Sequence, residues 1–183
     1  MDALGKVASK ITRREMEPYS QPQRGFPLAR GYLVIHSAPS ALCRHLEWAV
    51  ANLLGPSIAL TWRPQPLLPG TQRTACEWRD KEGKGAELVS SLRDWHYLRF
   101  EVREESLREE VLYRFTPNLG IHRAVIDGAG SVMIGENQIT HALEQNDDEM
   151  RTLIEKSLGT AWDLELDQFR RVDLVAISQS QAI

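Results

Sequence analysis

The sequence predicts an α+β fold in which two helices cover one face of an antiparallel sheet. Between residues 31 and 103, strand-length runs rich in Val, Ile, Leu and Tyr alternate with helical stripes of Leu and Val. These segments follow the order strand, helix, strand, strand, helix, strand. With 183 residues, 42% of them hydrophobic, the chain has the composition of one globular domain.

Turn and cap signals support the elements of the first half. The run GYLVIHS precedes Pro39, a residue that suits the first turn of a helix, and it places Ser37 or Ala38 at the cap position. The helical stripe that follows reaches Leu54 and stops at Gly55-Pro56. We expect strands at residues 31–37, 58–63, 74–79 and 96–103, and a second helix at residues 87–94.

This element order is the split βαβ arrangement of ferredoxin-like folds, in which right-handed crossovers place both helices on one face of the sheet. Period-two alternation directs Trp62, Trp78 and Phe100 toward these helices. We consider three states for the reverse face of the sheet. It is covered by the C-terminal helices, covered by a second subunit, or exposed to solvent with cross-strand ion pairs. Alternation places these side chains on it: Thr61, Arg63, Glu77, Arg79, Tyr97, Arg99, Glu101 and Arg103.

The second half of the domain is predicted to extend the sheet as a β-meander and to end in helices. Trp162, Leu166 and Phe169 recur at helical spacing and need an apolar surface to pack on. We expect strands at residues 110–115, 121–127 and 132–134, and helices at residues 136–145, 147–158 and 160–171. The predicted organisation is an extension at residues 1–29, one domain at residues 30–177 (core 31–104, β extension 110–134, helical tail 136–171) and a tail at residues 178–183.

The two ends of the chain differ in charge. Residues 1–29 carry a net charge of +2, and their apolar residues Leu4, Val7, Ala8 and Ile11 have the spacing of a short amphipathic helix. Residues 144–173 carry a net charge of −5. A cationic arm of this kind suits an acidic partner, although a plain leader is the simpler interpretation.

Composition excludes several classes of function. A net charge of −3 and an isoelectric point near 6.0 argue against nucleic-acid binding. The sequence lacks both an apolar run near the ~18 residues of a membrane span and the apolar core of a secretory signal, so we expect a cytoplasmic protein. Cys43 and Cys76 lie outside any CxxC spacing, and the five histidines form no metal-binding pair, so we expect neither a metal nor a cofactor.

The best local site in the sequence is the junction between the first strand and the first helix. His36 and Ser37 lie there, where free backbone N–H groups at a helix start could receive an anion. Arg63, His122 and Arg123 are further candidates for contacting such a ligand, and His122 titrates in the range of a general base. No phosphate-binding glycine motif and no nucleophile elbow accompanies them, so a capping serine and structural histidines are the simpler interpretation.

Three segments resemble a known family: RGYLVIHSAPSALCRHLEWAVANLLG, FTPNLGIHRAV and SLGTAWDLELDQFR. They are similar to an actinobacterial family catalogued as domain of unknown function 3145, over about Arg30 to Arg171. The resemblance implies no activity and no catalytic residues, because the family has none assigned. Members are often encoded near fatty-acid synthesis genes, which implies a link to acyl-chain or acyl-carrier metabolism.

From these observations we expect a non-enzymatic accessory or regulatory module that binds a protein partner, with a homodimer as one form of that association. The expectation depends on the lack of a catalytic motif in a chain with a mixed-charge sheet face, a cationic start and an anionic end. The alternative is an enzyme or sensor that binds a small anionic ligand, such as an acyl thioester, at the His36 and Ser37 junction.

Overall fold

The computed structural model describes residues 28–180, with side chains through residue 172. This part of the chain is an α+β structure with a seven-stranded antiparallel sheet and five α-helices. The predicted amphipathic helix near residues 4–11 lies outside the described residues, as do most of the predicted extension and half of the predicted tail. The division at residues 29 and 177 stays a prediction. The elements are β1 Leu28–Pro39, a 3₁₀ turn Ser40–Leu42, α1 Cys43–Leu54, β2 Arg63–Pro64, β3 Thr71–Lys81, α2 Lys84–Leu92, β4 Arg99–Glu105, β5 Glu110–Thr116, β6 Gly120–Ile126, β7 Val132–Met133, α3 Glu136–Leu143, α4 Asp147–Leu158 and α5 Thr160–Ser180.

The sheet has the strand order β2-β3-β1-β4-β5-β6-β7. β1 lies between β3 and β4 and pairs antiparallel with both. α1 connects β1 to β2, and α2 connects β3 to β4. From β4 onward each strand pairs antiparallel with the next, so the predicted β extension continues the same sheet.

The main core lies between the sheet and the first two helices. Leu33 and Phe100 of the sheet pack with Leu46 of α1 and Leu88 of α2, and all four are fully buried. Phe100 also stacks on the neighbouring strand's Phe115, with ring centroids 5.0 Å apart. The core cluster includes Phe100 and Trp78, with Trp62 packed against it, so the predicted direction of these side chains is confirmed.

The predicted second strand is wrong in extent. Only Arg63 and Pro64 pair with β3, although a strand was expected over residues 58–63. The side chains of Ile58 and Trp62 still pack toward the core. Trp62 Nε1 donates to Glu47 Oε1 of α1 at 2.7 Å, so the segment is anchored to the helix rather than along β3.

The start of α1 also differs from the prediction. We expected Ser37 or Ala38 to cap a helix at this point, but β1 continues through Pro39, which pairs with Thr71 of β3. A 3₁₀ turn with no side-chain cap then leads into the helix. The predicted capping role of Ser37 is therefore wrong, because its residue still belongs to the strand.

α2 begins at Lys84, three residues earlier than predicted, because a distant carboxylate caps it. Its N-cap residue, Gly83, has no side chain that could accept a hydrogen bond. Glu104 of β4 accepts from the backbone N–H of Gly83 at 2.8 Å and from that of Gly85 at 2.5 Å. A Cβ at Gly85 would lie 3.0 Å from Glu104 Oε2, so glycine allows this close approach.

The C-terminal helix covers part of the reverse face of the sheet. Trp162, Leu166 and Phe169 are buried, as the need for an apolar partner surface predicted. Arg99 of β4 donates to Glu165 of α5 at 2.9 Å. α5 continues to Ser180, beyond the predicted end at residue 171. The chain itself therefore supplies the cover that was one of three expectations for this face.

Tyr97 does not join that face. Residues 96 and 97 form a turn, and Tyr97 is largely exposed. Leu98 N–H donates to the Trp95 carbonyl oxygen at 3.0 Å, which holds the turn closed, so β4 begins at Arg99 instead of residue 96. Within residues 28–180, no helix combines the length and the apolar character needed to cross a membrane.

Candidate functional site

The predicted anion site lies at a β-bulge near the end of β1. The register of β1 against β3 shifts between Ile35 and Ala38, so His36 and Ser37 stand opposite a single residue of β3. A bulge redirects a side chain and leaves a backbone group outside the ladder. Gln65 Nε2 satisfies that group by donating to the His36 carbonyl oxygen at 2.8 Å. The bulge is therefore a closed, hydrogen-bonded feature.

Both side chains at the bulge are buried. His36 is 2% exposed, and its Nε2 lies 2.8 Å from Oε2 of Glu101. Ser37 is 0% exposed. His36 Nδ1 and Ser37 Oγ have no hydrogen-bond partner among the described residues. A ligand would reach these two atoms only if the structure around them moved.

Glu101 connects the bulge to a larger group of ionisable side chains beneath α5. Arg170 of α5 donates to both carboxylate oxygens of Glu101, through Nε at 3.0 Å and through Nη2. Arg170 also donates to Asp163 at 2.8 Å, and Asp163 lies 3.0 Å from Nε of Arg114 on β5. We call this group the covered-face cluster, and its members are His36, Glu101, Arg114, His122, Asp163 and Arg170.

Burial and charge set the ionisation of Glu101. Burial alone would raise its pKa, but hydrogen bonds from His36 and Arg170 outweigh that effect and lower the pKa from 4.5 to about 2. Burial likewise lowers the pKa of Arg170, and Glu101 and Asp163 more than reverse this, so its pKa is raised. The pair is therefore fully ionised at neutral pH.

His122 closes the other end of the covered-face cluster. Its Nε2 lies 3.1 Å from the Ser157 carbonyl oxygen and its Nδ1 lies 3.2 Å from Arg114 Nη1. A carbonyl oxygen only accepts and a guanidinium only donates, so Nε2 carries the proton and Nδ1 accepts. Burial lowers the pKa of His122, and the charge of Arg114 lowers it further. The ring also contacts Trp162, with centroids 4.9 Å apart.

A glycine at the junction of α4 and α5 makes this contact possible. Gly159 has φ +79°, and a Cβ there would lie 2.6 Å from Arg114 Nη1 and 2.7 Å from His122 Cε1. Arg114 Nη1 also donates to the carbonyl oxygen of Leu158 at 3.3 Å. Buried polar side chains from two strands, Arg114 of β5 and His122 of β6, thereby meet the end of one helix and the start of the next.

The structure separates the other predicted site residues from the bulge. His122 lies on the same face of the sheet as His36, three strands away. Arg123, its neighbour, points to the opposite face and pairs with Glu109 at 3.0 Å. Arg63 is exposed on β2, the edge strand. The five candidates thus surround no common open cavity in the described part of the chain.

The ion pairs of Arg170, Asp163 and Arg114 were not predicted from the sequence. Arg170 lies at the end of the helix predicted over residues 160–171, a position where a cation is favourable without any partner on the sheet. A signal was nevertheless present, because Asp163 and Arg170 share helical spacing with Leu166, the most deeply buried residue of that helix face. Charged residues flanking a buried stripe would have predicted ion pairs with the reverse face of the sheet.

A second surface was also missed, on the other side of the molecule. Trp48 lies outside the apolar stripe of α1, and its side chain is 70% exposed. It lies beside a groove of about 420 Å³ between α1 and the segment that follows it. We call this feature the Trp48 groove, and its lining residues are Arg44, Glu47, Trp48, Ala51, Ile58, Ala59 and Leu60.

Comparison with known proteins assigns a family. The model of DUF3145, described as a protein of unknown function, matches residues 32–177. The chain belongs to this family. The resemblance found in the sequence is thereby confirmed, and the DUF3145 region contains both the covered-face cluster and the Trp48 groove. No curated protein and no solved structure matches the chain. The description of the DUF3145 family assigns it no activity.

Proposed function

We propose that this protein is a non-catalytic module that binds another protein through the Trp48 groove. The observation that carries the proposal is the exposure of Trp48 beside a concave surface that is partly apolar. Tryptophan is enriched among the residues that dominate binding energy at protein interfaces. An indole left in water at the edge of a groove suits an interface better than it suits a free surface.

The chemistry of the groove indicates what kind of partner it would take. Ile58 and Leu60 supply apolar contact, and Arg44 offers a cation at the rim. Glu47 is already engaged by the Trp62 indole at 2.7 Å, so that wall of the groove is fixed before a partner arrives. A partner segment with one large apolar side chain and a nearby carboxylate would match this lining.

The polar residues of the reverse face support a non-catalytic role. Glu101 and Arg170 neutralise each other, and Asp163 lies within ion-pair distance of both Arg114 and Arg170. Their charges hold α5 on the sheet instead of facing an open cavity. Side chains that are engaged in ion pairs with one another are poorly placed to exchange protons with a substrate.

Site-specific photocrosslinking tests the proposal. A photoreactive amino acid replaces Ala59, an exposed residue of the groove lining, so that Trp48 is retained in the full chain, and the crosslinked protein is identified and purified. With that partner, Trp48→Ala should weaken binding at least thirtyfold, the scale of a central interface residue. Tyr97→Ala is the control, because Tyr97 is an aromatic residue of similar exposure, 72%, in the turn before β4 and away from the groove lining. Equal effects of the two substitutions would overturn the proposal.

A second copy of the chain is one partner that such a groove would serve. Sedimentation of the full chain over a range of concentrations tests this form of the proposal. A dimer that dissociates in Trp48→Ala and persists in Tyr97→Ala would support it. A wild-type monomer at all concentrations would exclude the homodimer and leave a different protein as the partner.

The alternative is a small anionic ligand bound at the His36 and Ser37 bulge. The observation that favours it is the pair of buried atoms, His36 Nδ1 and Ser37 Oγ, without partners among the described residues. A thermal-shift screen with acyl-CoA and ATP tests it, since a ligand at a hundred times its Kd adds about 2.7 kcal/mol to the folded state. An equal shift in wild type and His36→Ala would exclude this site.

We also infer a ferredoxin-like arrangement for the first four strands. The order β2-β3-β1-β4, the antiparallel pairs and the helices in the two crossovers support this assignment. A cytoplasmic location and a link to acyl-chain metabolism stay predictions from the sequence.

A further inference from the structure

The apolar residues of α3 and α4 are only partly covered by the rest of residues 28–172. No residue of α4 is buried, although Met150, Leu153 and Ile154 have the spacing of a packed helix face. On α3, the side chain of Leu143 is 67% exposed. An amphipathic helix of this length owes most of its stability to packing of its apolar face. The apolar residues of α4 are therefore half-buried at most, and part of their surface is open to solvent.

A groove of about 410 Å³ separates the two helices. Its lining combines one apolar side chain, Leu153, with carboxylates from the first turn of α4. The lining residues are His141, Gln145, Asp148, Glu149, Thr152 and Leu153. Residues 136–158 contain six acidic and two basic side chains, a net charge of −4. The groove therefore suits an occupant with an apolar stripe flanked by cations.

Residues 1–27 of the same chain have this composition. They contain five basic and three acidic side chains, a net charge of +2. Leu4, Val7 and Ile11 recur at helical spacing, with Lys6 and Lys10 between them. Both the apolar spacing and the charge of this segment thus complement the groove.

The chain is also long enough to reach. β1 begins at Leu28, at the end of the sheet where β6 ends and β7 begins. Four strand spacings separate β1 from β7, roughly 19 Å in total. α3 starts shortly after β7. The stretch from Ile11 to Leu28 extends to about 56 Å, which exceeds that separation severalfold.

We propose that residues 1–27 dock into the groove between α3 and α4 of their own chain. In this arrangement the apolar residues of the segment cover Leu153, and its lysines face Asp148 and Glu149. The surface is distinct from the Trp48 groove, so this inference stands or falls independently of the proposed function.

Zero-length crosslinking of the full chain tests the proposal. A carbodiimide joins an amine to a carboxylate only when the two are in contact, and mass spectrometry locates the links. We expect links from Lys6 or Lys10 to Asp148 or Glu149. An equal mixture of ¹⁵N-labelled and unlabelled protein should give these links within single chains only.

A matched pair of substitutions separates docking from chance contact. Leu153→Gln should reduce these links at least fivefold, because it removes the apolar contact while α4 keeps its charges. Leu107→Gln, at an exposed leucine between β4 and β5, should leave them unchanged. Hydrogen exchange of residues 4–11 should be at least tenfold slower in wild type than in Leu153→Gln. Links spread evenly over other carboxylates, links mainly between labelled and unlabelled chains, or exchange equal in the two proteins would overturn the proposal.

Discussion

Arg170 of α5 and Glu101 of β4 form a two-point ion pair across the boundary between helix and sheet. The guanidinium donates to both carboxylate oxygens, with Nε at 3.0 Å from Oε2. This geometry fixes the direction of both side chains and is the strong form of such a pair. The last helix is therefore held to the sheet by a directional contact in addition to its apolar stripe.

Glu101→Gln should destabilise the protein by about 3 kcal/mol, because it leaves the buried charge of Arg170 with weaker compensation. The side chains of Glu101 and Arg170 are 14% and 29% exposed, so water replaces little of the lost contact. The free energy of unfolding in urea measures the effect. Glu77→Gln removes an exposed pair with Arg30 from the same sheet and should cost about 1 kcal/mol or less. Equal losses in the two variants would contradict the buried-pair assignment.

The same carboxylate predicts a loss of stability in acid. The pKa of Glu101 is lowered from 4.5 to about 2, so its stabilising effect is complete above pH 4.5 and disappears as the pH falls toward 2. The shift corresponds to about 3 kcal/mol across that window. Urea unfolding of wild type and Glu101→Gln at several pH values measures the difference. A difference that stays constant from pH 6 to pH 2.5 would rule out this origin.

The position of His122 predicts a second and weaker dependence of protein stability on pH, close to neutrality. Burial lowers its pKa below 6.5, so protonation favours the unfolded chain, and stability falls as the pH drops from 6.5 toward the folded pKa. His122→Gln should flatten the curve of unfolding free energy between pH 7 and 5. Leu107→Gln, at an exposed position without a titratable group, should keep the slope of wild type. The assignment fails if both variants behave alike.

Gly159→Ala should destabilise the protein more than Gly83→Ala. Both glycines have the left-handed conformation, with φ of +79° and +94°, so both substitutions introduce backbone strain of about 1 kcal/mol. Only at Gly159 would the new methyl group collide with Arg114 and His122, whereas the space beside Gly83 is open. Thermal unfolding of the two variants isolates the cost of the collision. A smaller loss for Gly159→Ala than for Gly83→Ala would argue against the close approach.

The sequence predicted the parts of the fold that follow from periodicity and turn chemistry. The alternation around Phe100 placed the core correctly, and α4 has the predicted bounds, Asp147–Leu158. The sequence did not predict the features that depend on contacts between residues far apart in the chain. Trp62 donates to Glu47 of α1, and only Arg63 and Pro64 of the predicted strand region pair with β3. Such contacts have no local signature.

The candidate site shows the same limit. His36 was singled out for its place at the end of a strand, but its partner Glu101 is 65 residues away in sequence. Alternation placed Glu101 on the reverse face without identifying what it would meet there. Trp48 was not predicted as a site, because it lies outside the apolar stripe from which α1 was identified.

The carboxylate of Glu104, which caps α2 from β4, has a consequence for the order of folding. α2 is nine residues long, and its first turn has no local side chain at the cap position. Short segments of this kind are unstable by themselves in water. α2 should therefore acquire its first turn only when β4 has reached β1, so that a peptide of this helix alone stays a coil. Assembly of this half of the domain then waits on a long-range strand pairing, which is the slow step in proteins with non-local topology.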